Sequence, residues 1–220
     1  MNITQAMIEQ VYQDSRYAQL HEVLPALIQS AIEPSAQGLA YQGFALAQSS
    51  ASSARRVVDV HGNPVEESRL TWLEQDRLLS WLTLQVATVA DDHKVSRTMS
   101  TLIASARLGL VTRTLDMAHQ HLQGRKSFGQ KTTRHQLIKA SFSDIYGDVT
   151  QLRYQLLHRL ETENHHGVEA EHQAITRLAN QAEKLMGGHG FLMGATHTVS
   201  HLSMLLYSLF GKQPSTEGTT

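Results

Sequence analysis

The feature that most constrains the fold is a sustained helical repeat of apolar residues in the second half of the chain. Apolar positions there recur at steps of three and four, the spacing that places them on one face of an α-helix. Four segments show the repeat, at residues 104–122, 138–156, 168–185 and 195–209. The third ends at Gly187-Gly188 and the fourth at Gly211, and glycine commonly terminates helices. The pattern predicts an antiparallel four-helix bundle over residues 95–212.

The first 94 residues predict a reduced, mainly helical region. Residues 4–32 predict two short helices that stop before Pro34. Residues 70–89 also carry apolar side chains at helical spacing. Between these segments, residues 56–66 contain the turn signal His61-Gly62-Asn63-Pro64, which indicates at most a small β-hairpin or an extended linker. The predicted fold class is therefore all-α, with domains at 1–94 and 95–212 and a flexible polar tail at 213–220.

Charge and composition exclude several classes of function. The chain has 19 Lys and Arg against 20 Asp and Glu, so neither nucleic acid nor an anionic membrane is an expected partner. It has no cysteine, which excludes disulfides and thiolate chemistry. The N-terminus lacks the pattern of a signal peptide, and the most apolar run, at 202–210, is much shorter than the roughly 20 residues that span a bilayer. We therefore expect a cytoplasmic protein.

A candidate anion-binding site lies between the first two predicted bundle helices. Arg125, Ser127 and Phe128 follow the glycine that ends one helix, and the next helix is predicted to begin at Thr133. A guanidinium, a hydroxyl and a free helix N-terminus offer donors to the same anionic oxygens and would suit a pyrophosphate, with Phe128 stacked on an adenine or flavin ring. Alternatively, Thr133 and Gln136 form a capping box and Arg125 is only a solvated partner of the helix dipole.

Two sequence blocks resemble the C-terminal helical domain of the acyl-CoA dehydrogenase family. Residues 106–129, ARLGLVTRTLDMAHQHLQGRKSFG, followed by His135-Gln136, are similar to a family helix with "LG...R.LD.A" that runs into "R..FG" and "HQ". Residues 185–190, LMGGHG, are similar to the family's "GG.G" turn before its last long helix. The ending of that helix, HTVSHLSMLLYSLFG, is most similar to small subunits of two-subunit dehydrogenases. The resemblance covers residues 95–212.

This resemblance implies a cofactor, a substrate class and a partner. The pyrophosphate and adenine of FAD, usually bound by the neighbouring subunit, would contact four loop side chains: Arg125, Ser127, Phe128 and Gln136. Three glycines would let the backbone approach the cofactor closely: Gly187, Gly188 and Gly190. The implied substrate is an acyl thioester. The implied partner is a second copy or a larger dehydrogenase-like subunit. Gly109 would serve tight helix contact in the same arrangement, or plain close packing.

The chain departs from the family at its catalytic base. Family members remove an α-proton with a Glu while flavin N5 accepts a hydride from the β-carbon. Alignment places the two known positions of that Glu on Gly211 and Met99, and neither can take a proton. The family's glutamine before the "GG.G" turn is Lys184 here, and Glu217 spells the family's "EGT" at a displaced position. Residues 49–90 are also too few for the family's flavin-enclosing β-barrel, so no catalytic residue is assigned.

Other interpretations remain open at this stage. The chain could be a dehydrogenase-derived bundle that has lost FAD and serves as a scaffold or a non-redox enzyme, or an unrelated helical bundle. His165, Glu169 and His172 share a predicted helix face but lack the spacing of zinc hydrolases, so no metal site is predicted. The resemblance implies that the bundle helices pair across a two-fold axis, and the last helix is apolar on more than one face, so we expect self-association through the bundle.

Overall fold

The computed structural model describes residues 3–49, 55–90 and 96–212 of the chain. Within these ranges there are seven α-helices: α1 (Gln5–Tyr17), α2 (Val23–Ala31), α3 (Arg77–Trp81), α4 (Arg97–Gln123), α5 (Gln136–Glu161), α6 (Glu169–Met186) and α7 (Thr196–Leu206). The same ranges contain seven strands: β1 (Gly38–Tyr41), β2 (Phe44–Gln48), β3 (Val57–Asp59), β4 (Leu70–Trp72), β5 (Leu84–Val89), β6 (Lys126–Ser127) and β7 (Gln130–Lys131). A π-helical turn, Tyr207–Gly211, continues α7. None of the helices in the described part of the chain combines the length and apolar character needed to cross a membrane.

The prediction of an all-α chain with at most a small hairpin is wrong. Strands β1 to β5 form a five-stranded sheet in the order β3-β1-β2-β5-β4. The β1–β3 pair is parallel and the other pairs are antiparallel. One face contributes Leu39, Leu46 and Leu84 to the core shared with the helices, while small residues such as Ala45 and Ala87 line the other. The fold is mostly helical with a small sheet beside the helices.

Residues 70–89, predicted to be helical, instead form β4, the short helix α3 and β5. Asp76 caps α3, because its side chain accepts a hydrogen bond from the backbone of Leu79 at 2.7 Å. Thr83 then adopts a positive φ of 53°, which ends the helix and turns the chain into β5. The apolar residues of this segment therefore serve two short strands and one turn of helix.

The two short N-terminal helices and the four long C-terminal helices are present where the periodicity predicts them. Helix α4 is the central element, since α1, α5, α6 and α7 all pack against it. Residues 99–112 of α4 are buried on every side. Such a helix needs neighbours all round, which explains why α1 from the first half of the chain joins the helices of the second half.

The main hydrophobic core crosses the predicted boundary at residues 94 and 95. It unites residues of α1, α2 and the sheet with residues of α4 and α7, while a second cluster lies among α4, α5 and α6. Leu202, Leu206 and Phe210 are buried in the main core, and Leu205 and Leu209 pack against it. Most apolar residues of the last helix are therefore used inside the chain, while Met204 is 40% exposed. Self-association through the bundle stays a prediction.

Candidate functional site

The loop between α4 and α5 is a small hairpin that projects an aromatic ring into solvent. Strands β6 and β7 pair around a two-residue turn, Phe128-Gly129, whose φ angles are 51° and 79°. Positive φ at both central residues is typical of a type I′ turn, and it is unfavourable for a bulky residue such as phenylalanine. Phe128 is 98% exposed. Its ring meets the His135 ring edge-on, with 6.1 Å between the centroids. An aromatic side chain in a strained backbone conformation that leaves it almost fully exposed is a feature associated with ligand or partner contact.

Helix α5 begins at Gln136 and not at Thr133. Thr133 lies in a short 3-10 turn, Thr132–Arg134, and the N-cap residue of α5 is His135, which makes no side-chain capping hydrogen bond. No capping-box bond between Thr133 and Gln136 forms in the described structure. The alternative prediction, in which Gln136 serves only as part of a capping box with Thr133, is therefore wrong, and the Gln136 side chain is exposed.

Ser127 and His135 hold the hairpin against the start of α5. Gln130 Nε2 donates to His135 Nδ1 at 3.1 Å, so the ring proton lies on Nε2. His135 Nε2 then donates to Ser127 Oγ at 2.9 Å and to the Ser127 carbonyl at 3.1 Å. Because Ser127 Oγ is the acceptor in this contact, its own proton can be donated to Thr132 Oγ1, which lies 3.3 Å away, or to a bound group.

Arg125 links the hairpin to the glycine turn that follows α6. Its Nη1 donates to His121 Nε2 at 3.1 Å, and the His121 ring lies 4.7 Å from the ring of His189. Burial, followed by the neighbouring charges of His189 and Arg125, lowers the pKa of His121. The neutral His121 ring can therefore accept from the arginine. The structure thus brings the two sequence blocks that predicted the site to one end of the helices.

The three predicted glycines have different roles in the turn. Gly187 has a positive φ of 59° and, like Gly188, has open space where a side chain would lie. Gly190 is buried, and a Cβ there would lie 2.6 Å from Thr196 Oγ1, so this glycine permits the turn to approach α7. A cavity of about 490 Å³ lies beside Gly187, and its wall includes Lys184 and Phe191. The turn is therefore open on the side of Gly187 and Gly188 and closed at Gly190.

The two aligned base positions meet at the opposite end of the helices. Met99 is fully buried, and the next residue, Ser100, donates from Oγ to the Gly211 carbonyl at 2.7 Å although the two are 111 residues apart. A Cβ on Gly211 would lie 2.9 Å from Tyr207 Cδ2 and 3.2 Å from His172 Cε1. The structure leaves no space for a glutamate at position 211. Glu217 lies outside the described residues.

A buried polar network fills the place next to these positions. Arg107 is fully buried, and its Nη1 donates to His172 Nδ1 at 2.8 Å. His172 Nε2 therefore carries the ring proton and donates to Ser100 Oγ at 3.1 Å. Arg107 also donates to Ser203 Oγ at 3.1 Å and to Thr176 Oγ1 at 2.7 Å. The network joins α4, α6 and α7, and sequence reasoning missed it because its members are far apart in the chain.

Burial controls the protonation of this network. It lowers the pKa of His172 to about 3, and the adjacent Arg107 charge adds to the effect. Burial also lowers the pKa of Arg107 to about 10, with the Tyr207 ring 4.7 Å from the guanidinium carbon. His172 is therefore a neutral, fixed hydrogen-bonding group at physiological pH, and its ring nitrogens are both occupied.

The residues considered as metal ligands from the sequence, His165, Glu169 and His172, make other contacts in the structure. His165 Nδ1 lies 3.2 Å from Thr101 Oγ1, and Tyr207 donates to Glu169 at 2.5 Å. Among residues 3–49, 55–90 and 96–212, no group of three or more His, Asp or Glu side chains is placed to hold a metal ion.

A buried axial helix surrounded by further helices, with an exposed hairpin and a glycine turn at one end, defines a helical domain beside a small sheet. The family model described as the acyl-CoA dehydrogenase C-terminal domain matches residues 95–211. The chain belongs to the acyl-CoA dehydrogenase family. No curated protein matches the sequence.

Solved structures of this family share the fold at low sequence identity. The acyl-CoA dehydrogenase of Slackia heliotrinireducens is 13% identical, with a TM-score of 0.57 over 92% of this chain and 75% of that one. Butyryl-CoA dehydrogenase of Megasphaera elsdenii is 15% identical, with a TM-score of 0.51 over 65% of this chain and 46% of that one. A variant of the steroid dehydrogenase pair Tcur3481-Tcur3483 is 13% identical, with a TM-score of 0.52 over 83% of this chain and 60% of that one. The chain therefore spans about half of the butyryl-CoA dehydrogenase chain.

Proposed function

We propose that this chain is an acyl-CoA dehydrogenase-like subunit without a catalytic base of its own, which contributes its hairpin to an FAD site completed by another, larger dehydrogenase-like subunit that acts on an acyl thioester. The observation that carries the proposal is Phe128, exposed at 98% in an unfavourable backbone conformation beside Arg125 and Ser127. An aromatic ring and two polar donors on one projecting turn suit a ligand that lies outside this chain.

The residues present fit one part of FAD. The Arg125 guanidinium, the Ser127 hydroxyl and the start of α5 would hold the pyrophosphate, and Phe128 would stack on the adenine. Gln136 would reach the same region from the first turn of α5. When bound, FAD would supply the hydride acceptor of the reaction. The five-stranded sheet is smaller than the family's barrel, so we assign the wall around the flavin ring to the larger subunit.

The base positions support a subunit that does not act alone. Gly211 and Met99 are buried among apolar and fixed polar groups, and Ser100, His172 and Arg107 use their donors and acceptors on one another. Positioned proton transfer contributes about 10² to 10⁴ in rate. The base would therefore come from the larger subunit, as would the acyl pocket. The name of one structural relative pairs two chains, which is consistent with such a division of labour.

The experiment compares the chain purified alone with the chain coexpressed with its genomic neighbours. The visible spectrum reports bound flavin, and reduction of an electron-acceptor dye by a saturated acyl-CoA reports turnover. We expect both signals only in the complex. In that complex, Arg125→Ala should weaken FAD binding by about 1.5 to 3 kcal/mol, the range for hydrogen bonds to charged groups. Arg134→Ala, at an exposed arginine of the same loop, is the matched control and should not change the affinity. Robust turnover by the chain alone would contradict the proposal.

The second candidate function is a flavin-free scaffold or a non-redox enzyme derived from a dehydrogenase. It is favoured by the closed base position, where Tyr207, His172 and Ile103 surround Gly211. A stable complex with a neighbour-encoded subunit that contains no flavin would support this alternative and exclude the first.

A further inference from the structure

A cavity of about 490 Å³ lies between α5 and α6 and is open to solvent along one side. Its floor is apolar and consists of three residues: Leu152, Ala174 and Leu178. Its rim carries exposed polar side chains, among them Gln151 and Gln181. A concave apolar site with a small number of polar groups at fixed positions is the usual form of a small-molecule site. We name this cavity the α5–α6 groove.

Glu171 places a carboxylate with one unsatisfied oxygen in the wall of the groove. The residue is only 7% exposed, and its Oε1 accepts a hydrogen bond from Arg159 Nε at 2.6 Å. Arg159 is itself fixed, because its Nη1 donates to the carbonyls of Asn164 and His166. Glu171 Oε2, in contrast, is buried and has no hydrogen-bond partner in the described structure. A buried acceptor of this kind is unfavourable unless a donor reaches it, and bulk water does not contact this oxygen.

Arg177 supplies an unpaired cation farther along the same wall. It is exposed, and within the described structure its guanidinium makes no hydrogen bond or ion pair. It follows Glu171 on α6 by about 9 Å along the helix axis, at 1.5 Å per residue. The remaining charged group of the groove is Asp148, about 16 Å from Arg159 along α5 by the same measure. Because Arg159 pairs with Glu171 and the two helices are antiparallel, Asp148 lies beyond Arg177.

We infer that the α5–α6 groove binds a small zwitterion whose ammonium and carboxylate are joined by an alkyl chain, as in an ω-amino acid or free lysine. The ammonium donates to Glu171 Oε2, and the carboxylate pairs with the Arg177 guanidinium. The alkyl chain lies between them on the apolar floor and leaves water there. Both groups of the groove that lack a partner then acquire one. The site is independent of flavin and does not rest on the proposed function.

Isothermal titration calorimetry of the full-length chain at low salt tests the site with probes that differ by a single group. The ω-amino acid 6-aminohexanoate carries both charges, hexylamine lacks the carboxylate, and hexanoate lacks the ammonium. We expect 6-aminohexanoate to bind with a dissociation constant roughly tenfold lower than that of either other probe, since each charge-assisted hydrogen bond adds to the affinity. Equal binding of the three probes, or no binding of 6-aminohexanoate at millimolar concentration, would overturn the inference.

Two substitutions assign the charges of the probe to the two ends of the groove. Arg177→Gln should weaken 6-aminohexanoate by roughly tenfold and leave hexylamine unchanged, because it removes only the partner of the carboxylate. Glu171→Gln should weaken 6-aminohexanoate and hexylamine and leave hexanoate unchanged. This second variant also alters the contact with Arg159, so circular dichroism verifies its fold. Arg177→Gln changes an exposed side chain without a partner and tests the site without that complication.

The matched control is Arg134→Gln, which removes an exposed arginine outside the groove and should leave the affinity for 6-aminohexanoate unchanged. A loss in this variant equal to that in Arg177→Gln would show that net charge controls binding and would overturn the inference. Asp148→Asn, beyond Arg177, should also leave the affinity unchanged. Because these titrations use the chain alone, and flavin retention is measured in the complex, the failure of either proposal leaves the other standing.

Discussion

Gly109 is the point at which helix α1 approaches the central helix α4 most closely. A Cβ at this position would lie 2.3 Å from the Tyr12 carbonyl oxygen and 2.8 Å from Ser15 Cβ. The obstacle is backbone, which cannot rotate away. The structure therefore assigns Gly109 the close-packing role, between a helix of the first half of the chain and a helix of the second half.

Substitution of Gly109 should separate steric cost from helix propensity. Alanine is favoured over glycine inside a helix by about 1 kcal/mol, but overpacking typically costs about 1 to 3 kcal/mol, and here α1 itself must move. We expect Gly109→Ala to lower the free energy of unfolding by about 1 to 3 kcal/mol in urea denaturation. The matched control is Gly147→Ala in α5, where a Cβ meets nothing within 4 Å. That variant should be more stable by up to about 1 kcal/mol, and a loss of stability there would contradict the argument.

His172 makes stability depend on pH. Its pKa is about 3 in the folded chain, because burial and then the Arg107 charge oppose protonation, against roughly 6.5 when unfolded. Between these values the unfolded state binds more protons, so the free energy of unfolding should fall as pH falls from about 6.5 towards 3, by up to about 1.4 kcal/mol per pH unit. His172→Gln, which keeps an acceptor for Arg107, should flatten this slope. His158→Gln, at a side chain that is 73% exposed, should keep the native slope, and equal slopes in both variants would refute the assignment.

At the scale of elements, the hairpin of β6 and β7 combines an unfavourable turn conformation with an exposed aromatic side chain. Its turn places Phe128 at a φ of 51° with almost its whole side chain in water. Its contact within the fold is an edge-on approach to the His135 ring, with the centroids 6.1 Å apart. A residue in a strained backbone conformation that stays almost fully exposed fits a role towards another molecule.

Phe128→Asn should therefore raise stability and lower function. Asparagine tolerates the left-handed region, which costs other residues about 1 to 2 kcal/mol, and the substitution gives up an edge contact with the His135 ring by a side chain that is 98% exposed. We expect the free energy of unfolding to rise by up to about 1 kcal/mol, while FAD binding in the complex weakens. Phe191→Asn, at an exposed residue without positive φ, should not gain stability. A decrease in stability for Phe128→Asn would show that the contact with the His135 ring outweighs the backbone strain.

The elements that periodicity could predict are the long ones. Apolar steps of three and four identified α4 to α7, because each spans enough turns to show the repeat. Residues 70–89 were misassigned because Trp72, Leu78 and Trp81 fit a helix as well as a strand–turn–strand, and the deciding features, the Asp76 cap and the positive φ of Thr83, are local. The strands at 38–48 are short and alanine-rich, and gave no strong signal.

The candidate site was predictable to a similar extent. The Arg125 to Gln136 loop and the glycine turn are contiguous in sequence, so a motif could identify them, and the structure brings them to one end. The Arg107, His172 and Ser100 network depends on contacts between residues 65 and 72 positions apart, for which sequence spacing offers no guide. The prediction that Thr133 begins a helix was wrong because a 3-10 turn intervenes.

At the scale of the whole molecule, the two halves of the chain share one core. Both tryptophans, Trp72 and Trp81, belong to the sheet region, while most of the helical signal comes from α4 to α7. Fluorescence and far-UV circular dichroism therefore report on different halves. Because the main core includes residues from both, we expect the two probes to give coincident urea transitions. Separate transitions would show that the boundary between residues 94 and 95 divides two independently folding domains.

The burial of α4 on every side also determines which part of the chain tolerates substitution least. Most helices keep a solvent-facing stripe on which substitutions accumulate without penalty, and their tolerance to change therefore oscillates with the helical period. Residues 99–112 have no such stripe, since each of them is in contact with a neighbour. This helix can vary only together with its surroundings, so we expect its sequence to diverge more slowly among relatives than the rest of the chain.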